Sequence, residues 1–188
     1  MKTLKILSVI LIGAFTMGSS LFAQGFQPPE EGNAVVYFAR INSMGALINF
    51  KYFDNDQFIG KFNGKNYMRY ECTPGEHLFW ASSEKKDFIT ADVEEGGTYI
   101  VIVQAKMGAM SAAVKLYNSE NEKMLKKAIA LIKKKAPKVT EQSILDYENS
   151  EMKDYIAEKL AKYEDDWKDK RNYPHISADM AISPEKLK

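Results

Sequence analysis

The stretch 67–80, YMRYECTPGEHLFW, is the strongest constraint on what this chain can fold into. Met68, Tyr70 and Cys72 alternate with Tyr67, Arg69 and Glu71, which is the period of a strand. Thr73-Pro74-Gly75 then turns the chain: proline pre-sets φ at the first central position of a type II turn, and glycine accepts the positive φ of the second. Leu78 and Trp80 resume the period of two. The pattern predicts a hairpin, with the segments from Ala34 to Tyr117 laid beside it as strands.

Those segments are strand-like in content. The run 34–41 (AVVYFARI) is β-branched and aromatic, and 47–53 alternates. Asp54-Asn55-Asp56 turns the chain into a short strand over 57–62, and 63–66 (NGKN) turns it again. Residues 87–93 place Ile89, Ala91 and Val93 on one face. The run 98–105 (TYIVIVQA) is nearly continuously apolar, as a central strand covered on both faces would be. After a turn over 106–108, a weaker strand follows over 109–117. Short strands at this spacing predict an antiparallel β-sandwich of about seven to eight strands, spanning 34–118.

The period then changes. Ser119 and Glu122 have capping-box spacing, and Met124, Leu125, Ala128, Ile129, Leu131 and Ile132 follow at helical steps until Pro137. A second helix is expected from Thr140, with a stripe through Ile144, Tyr147, Met152, Tyr155, Ile156, Leu160, Tyr163 and Trp167. Residues 120–138 carry seven lysines against two glutamates; residues 141–169 carry ten acids against four lysines. Opposite charge and a short connection predict a helical hairpin over 119–173 packed on the sandwich, followed by an irregular tail over 174–188. A second use of the basic helix is contact with an anionic envelope surface, which the acidic neighbour would partly neutralise.

The N-terminus has the order of a secretory signal peptide over 1–23. Lys2 and Lys5 precede an uncharged apolar run from Ile6 to Gly18, then small residues ending at Ala23, the expected cleavage point. The run is shorter than the roughly 20 residues that span a bilayer. No cysteine lies nearby for lipid attachment. The expected mature chain is therefore periplasmic or secreted, without a stable membrane anchor, and begins with a flexible lead-in over 24–33. Its lone cysteine, Cys72, cannot form an intrachain disulfide and falls on an apolar strand face.

Little in the chain suggests chemistry. The net charge of +1 gives no field for nucleic acid. His77 and His175 are far apart, and no zinc, EF-hand, nucleophile-elbow or phosphate-loop spacing occurs, so no metal and no cofactor is expected. Cys72, His77, Glu71 and Glu76 flank one turn, which leaves a hydrolase as a remote reading; packing for Cys72, a hydrogen-bonded role for His77 and solvated carboxylates at the rim explain them better. If the strands alternate regularly, half of the aromatics face outward. Tyr37, Tyr52, Tyr67 and Phe79, with His77, are then the candidate binding residues for a glycan or small ligand, unless the helices cover that face.

The order AVVYFAR, NFKYFDNDQFIGKFNGKNY, CTPGEH and VEEGGTYIV resembles a bacterial family of exported domains catalogued as domain of unknown function 2846. The matching positions are Tyr37 and Arg40, then Asp54, Ile59 and Gly60, then Gly64 and Tyr67, the Pro74-Gly75-x-His77 step, and Gly96, Thr98 and Tyr99. The resemblance covers about residues 32–108. Many members look lipid-anchored; this chain lacks that cysteine and adds the helical segment. The resemblance implies fold and export and carries no activity. The functional expectation is a non-catalytic envelope binding or structural module, with an envelope protein or a glycan as partner.

Overall fold

A computed structural model of the chain describes residues 26–107 and 112–188. The expected signal segment 1–23, its cleavage point and Gly108 lie outside the described residues. The strands are β1 (Ala34–Arg40), β2 (Phe50–Asp54), β3 (Gln57–Phe62), β4 (Tyr67–Cys72), β5 (Gly75–Ser82), β6 (Lys86–Val93), β7 (Thr98–Met107), β8 (Ala112–Tyr117) and β9 (His175–Ile176). The α-helices are α1 (Glu122–Lys134), α2 (Gln142–Glu151), α3 (Lys153–Lys162) and a single turn, α4 (Pro184–Leu187).

Two mixed sheets face each other. One has the order β4-β1-β7-β8, the other β3-β2-β5-β6-β9. The sequence suggests antiparallel sheets, and this is corrected: β1 runs parallel to β7, and β9 parallel to β6. The inner faces share one core, in which Val36 and Phe38 of β1 meet Phe50 and Tyr52 of β2, Phe79 of β5, Ile89 of β6 and Val101 of β7.

The predicted central hairpin is not a hairpin. β4 is an edge strand paired with β1, whereas β5 lies inside the other sheet between β2 and β6. Thr73-Pro74-Gly75 is the corner where the chain changes sheets, with Gly75 at φ +132°. Alternation and turn chemistry read the same for a hairpin and for a corner; the choice is made by which faces must be buried together. The Asp54–Asn55–Asp56 turn does join a hairpin, β2 to β3, and Asn55 takes the left-handed conformation with φ +48°. The second strand begins later than expected, at Phe50, because residues 42–49 form a loop.

Both outer faces are apolar, so both need cover. Val35, Tyr37, Ala39, Tyr67, Ile100 and Ile102 lie beneath Ala128, Leu131 and Ile132 of α1. On the far side, Phe53, Phe58, Trp80 and Phe88 lie beneath Leu145, Met152, Tyr155, Ile156, Leu160 and Tyr163. The expected helical hairpin is therefore corrected: α1 and the α2–α3 pair cover opposite outer faces. The opposite charges do not join the helices, because two large hydrophobic faces separate them. Instead, Glu148 of α2 bridges Lys51 and Lys61, each at 2.7 Å, and locks α2 to the β2–β3 hairpin.

Smaller corrections follow from local hydrogen bonding. Asn121, not Ser119, caps α1 by accepting from the Met124 N–H at 3.0 Å. The second helical segment bends at Met152, φ −96° and ψ 4°, and closes with a π-turn over Tyr163–Trp167. The lead-in from residue 26 is fastened rather than loose. Phe26 packs on the α1-covered face, Gln27 exchanges hydrogen bonds with the Tyr37 hydroxyl, and Arg69 donates to the Pro28 carbonyl. The tail is fastened too: after β9, the Ile182 N–H donates to the Thr98 carbonyl at 2.7 Å, and Ile182 and Leu187 are buried beside α1.

A chain ending at Asn118 would leave both outer faces in water. It is expected to be insoluble or to bind a hydrophobic dye strongly, without a cooperative thermal transition; calorimetry and dye fluorescence check this. Tyr52→Phe tests the shared core. The Tyr52 hydroxyl is buried and has no hydrogen-bond partner. Removing it is expected to leave stability unchanged or to raise it by about 1 kcal/mol, measured by urea unfolding.

Candidate functional site

The structure does not bring the five residues singled out from the sequence together at one surface. Tyr37, Tyr52, Tyr67 and Phe79 are all fully buried, so none is an outward rim residue. Tyr37 lies under the lead-in. Tyr67 lies under α1, its hydroxyl donating to the Lys135 carbonyl at 2.7 Å. Tyr52 stacks on Phe62 at 4.7 Å between the sheets, and Phe79 meets Phe38 edge-on at 5.4 Å. Alternation places such residues on opposite sheet faces but does not say that a helix covers the outer one.

His77 is held differently. Its Nδ1 lies 2.8 and 2.9 Å from the two Asp54 carboxylate oxygens, and its Nε2 lies 2.9 Å from the Thr73 carbonyl oxygen. Both neighbours accept, so both ring nitrogens carry protons and the ring is an imidazolium. The Tyr70 hydroxyl donates to the same carboxylate at 3.0 Å, and Phe79 stacks on the ring at 5.1 Å. The Asp54 hydrogen bonds, then the neighbouring Cys72 side chain, raise the His77 pKa to about 10 against the opposing effect of burial. Such a ring ties β5 to the β2–β3 turn and has no lone pair free to take a proton. Of the flanking acids, Glu71 is opposed by burial but kept below the usual carboxylate range by the Glu30 N–H and the Arg69 guanidinium. Glu71 salt-bridges Arg69 at 2.7 Å, and Glu76 is exposed.

The arrangement best suited to a ligand lies elsewhere. The turn between β5 and β6, the start of β6 and the segment after the π-turn enclose an open recess of about 410 Å³. Phe88 is its floor, ringed by Trp167 at 5.8 Å and Tyr173 at 5.6 Å between ring centroids. The π-turn widens the helix end, with the Lys168 N–H bonded back to the Tyr163 carbonyl at 3.0 Å, and Trp167 projects from it onto Phe88. Lys85, Lys86, Lys170 and Arg171 stand round the opening with one acid, Glu84.

Arg171 and Lys86 are held in place by their neighbours. Arg171 donates to the buried Asp87 carboxylate at 2.5 Å and lies over the Tyr173 ring at 4.9 Å. Asp87 also accepts from the Leu116 N–H at 2.9 Å, so it is fixed on both sides. Lys86 Nζ stands 5.8 Å from the Trp167 ring centroid. Burial first, then the neighbouring Lys159, holds its pKa below the ordinary lysine value. A partly desolvated ammonium beside aromatic faces favours an anionic group presented by a ring-bearing ligand. The sequence reading had Trp167 only as the end of an apolar stripe; the Lys85-Lys86 pair and the 167–173 run (WKDKRNY), both cationic with aromatics nearby, carried the signal.

Among the described residues, no group of three or more His, Cys, Asp or Glu side chains is arranged to hold a metal ion. No helix among them is long and apolar enough to cross a membrane. No protein-family model matches the chain, and no curated protein matches it.

The His77 geometry fixes a pH dependence. A folded pKa of about 10 lies above the ordinary value of 6.5. The stability this ion pair contributes is therefore fully present below pH 6.5 and is lost as pH rises towards 10. Wild type is expected to lose about 1.5–3 kcal/mol across that window relative to His77→Gln, read from urea unfolding at successive pH values.

Proposed function

We propose that this chain is an exported, non-catalytic binding module of the cell envelope, and that its ligand site is the recess between β6 and the π-turn. The export signal expected over 1–23 and the resemblance to domain of unknown function 2846 support the location and the two-sheet sandwich architecture. One observation carries the ligand reading: three aromatic rings and four cations converge on a single open recess of about 410 Å³. The recess is in the range of small-ligand pockets, and its apolar floor with a charged rim suits a molecule having one apolar face and an acidic edge. An acidic saccharide has that shape: the C–H face of the sugar lies on Trp167 or Tyr173, and its carboxylate or phosphate meets Lys86 and Arg171. The glycan reading is thus kept with different residues from the buried Tyr37, Tyr52, Tyr67 and Phe79.

The second reading is an envelope protein bound through the same recess. Trp, Tyr and Arg side chains are the types that anchor protein interfaces, and half-buried Trp167 and Tyr173 with exposed Arg171 supply all three.

Titration calorimetry with matched acidic and neutral oligosaccharides tests the proposal. Acidic members are expected to bind, with Trp167→Ala and Lys86→Ala each weakening binding at least tenfold, about 1.4 kcal/mol. Thermal stability should stay near wild type for Lys86→Ala. Equal binding of neutral members would remove the charge argument. No saccharide binding, with Trp167-dependent capture of an envelope protein, would move the site to the second reading.

A further inference from the structure

One end of the two-sheet core carries a surface that the recess does not use. The loop 42–49 joins β1 to β2 there, and its shape is set from inside by Arg40. The Arg40 side chain is fully buried, a rare place for a guanidinium, and lies over the Phe50 ring at 4.0 Å. It donates to the Ile48 carbonyl at 2.9 Å, the Met44 carbonyl at 2.6 Å and the Gly45 carbonyl at 2.8 Å. Three carbonyls on one planar cation fix the loop as a rigid protrusion. On it, Leu47 is 90% exposed and Met44 47% exposed. A side chain such as Leu47 gains nothing from folding in that position, and yet the loop is built to hold it there.

Two cationic segments adjoin the protrusion. The 63–66 turn approaches it closely: a Cβ on Gly64 would stand 3.6 Å from the Ala46 carbonyl oxygen, and the Arg40 N–H donates to the Asn66 carbonyl at 2.9 Å. The C-terminus of α1 meets the same turn, with Lys135 Nζ donating to the Lys65 carbonyl at 2.8 Å. Lys65, Lys133, Lys134, Lys135 and Lys138 are all exposed, and Val139 beside them is 83% exposed. The segments 41–49, 63–66 and 133–140 contain these five lysines and no carboxylate. The helix dipole accounts for lysines in the last turn of α1. It does not account for Lys65, for Lys138 or for a leucine held out in water.

We propose that this end is a reversible docking surface for an anionic lipid bilayer. The lysines meet the phosphate headgroups, while Leu47 and Met44 enter the boundary between headgroups and acyl chains. Each lysine near an anionic surface contributes a factor of about five in affinity. Neutral lipid should therefore hold the protein poorly. The proposal does not depend on the ligand reading of the recess, whose Trp167 and Lys86 belong to other segments.

The test is cosedimentation of the chain from Gln24 onward, which contains every described residue, with vesicles. Phosphatidylglycerol–phosphatidylcholine vesicles are expected to bind it, and phosphatidylcholine vesicles are not. Lys65→Ala combined with Lys134→Ala should weaken binding about 30-fold, as two lysines at that factor require. Leu47→Asp should weaken it at least tenfold with an unchanged thermal transition, since Leu47 has no packing to lose. Leu47→Trp should show a blue-shifted emission with the anionic vesicles only. Binding to both vesicle types alike, no binding to either, or variants that bind as wild type would each overturn the proposal. So would capture of a protein partner that depends on Leu47 while vesicle binding does not.

Discussion

Two sheets with apolar residues on both faces cannot stop at two layers. An aromatic side chain buries about 150–250 Å². At about 25 cal/mol per Å², leaving Phe53, Phe58, Trp80 and Phe88 in water would forfeit about 4–6 kcal/mol each. That term is comparable with the whole stability of an ordinary domain, about 5–15 kcal/mol. The helices are therefore part of the fold on which the strands depend. The same requirement explains why a chain with oppositely charged helices keeps them apart: surface pairs contribute about 0–1 kcal/mol each, far less than either covered face.

This balance also marks what could be read before the fold was known. β1, β7 and α1 were legible because burial on both faces, or along one helical stripe, writes an unmistakable pattern. The turn at Asn55 was legible from its chemistry. The partner of each strand was not. Tyr67–Cys72 alternates in the same way whether Pro74-Gly75 folds it back on β5 or hands the chain to the other sheet. The outward aromatics were misplaced for a related reason: Tyr37 and Tyr67 do face away from the inter-sheet core, and only α1 and the lead-in decide that they meet protein rather than solvent. The recess was hidden most deeply, since Trp167, Phe88 and Arg171 are brought together by a π-turn and by Asp87, neither of which has a sequence signature.

Charge is used in three distinct ways in one nearly neutral chain. At His77 and Asp54 it is enclosed and satisfied, and serves to hold β5 against a turn. At Arg40 it is enclosed, with its two terminal nitrogens donating to carbonyls alone, and serves to shape a loop. Round the recess it is left at the surface, anchored by Asp87 and aimed by aromatic neighbours. The distinction turns on enclosure, since Arg171 is paired with Asp87 and still stands at the surface. Enclosed charges stabilise, and the positioned, accessible ones are those to which the proposed function assigns recognition.

Asn149 completes the picture at the β3 edge. Its side-chain amide accepts from the Phe58 N–H at 2.8 Å and donates to the Phe58 carbonyl at 2.9 Å, so a helix residue stands where a neighbouring strand would. Close by, the Lys61 N–H donates to Thr140 Oγ1, and at the edge of the other sheet the Tyr67 carbonyl accepts from the Lys138 N–H. Backbone groups that would template an incoming strand are thus already engaged by α2 and by the connector that precedes it. At these positions a second molecule finds no ladder to extend, which guards crowded copies against edge-to-edge stacking into fibrils.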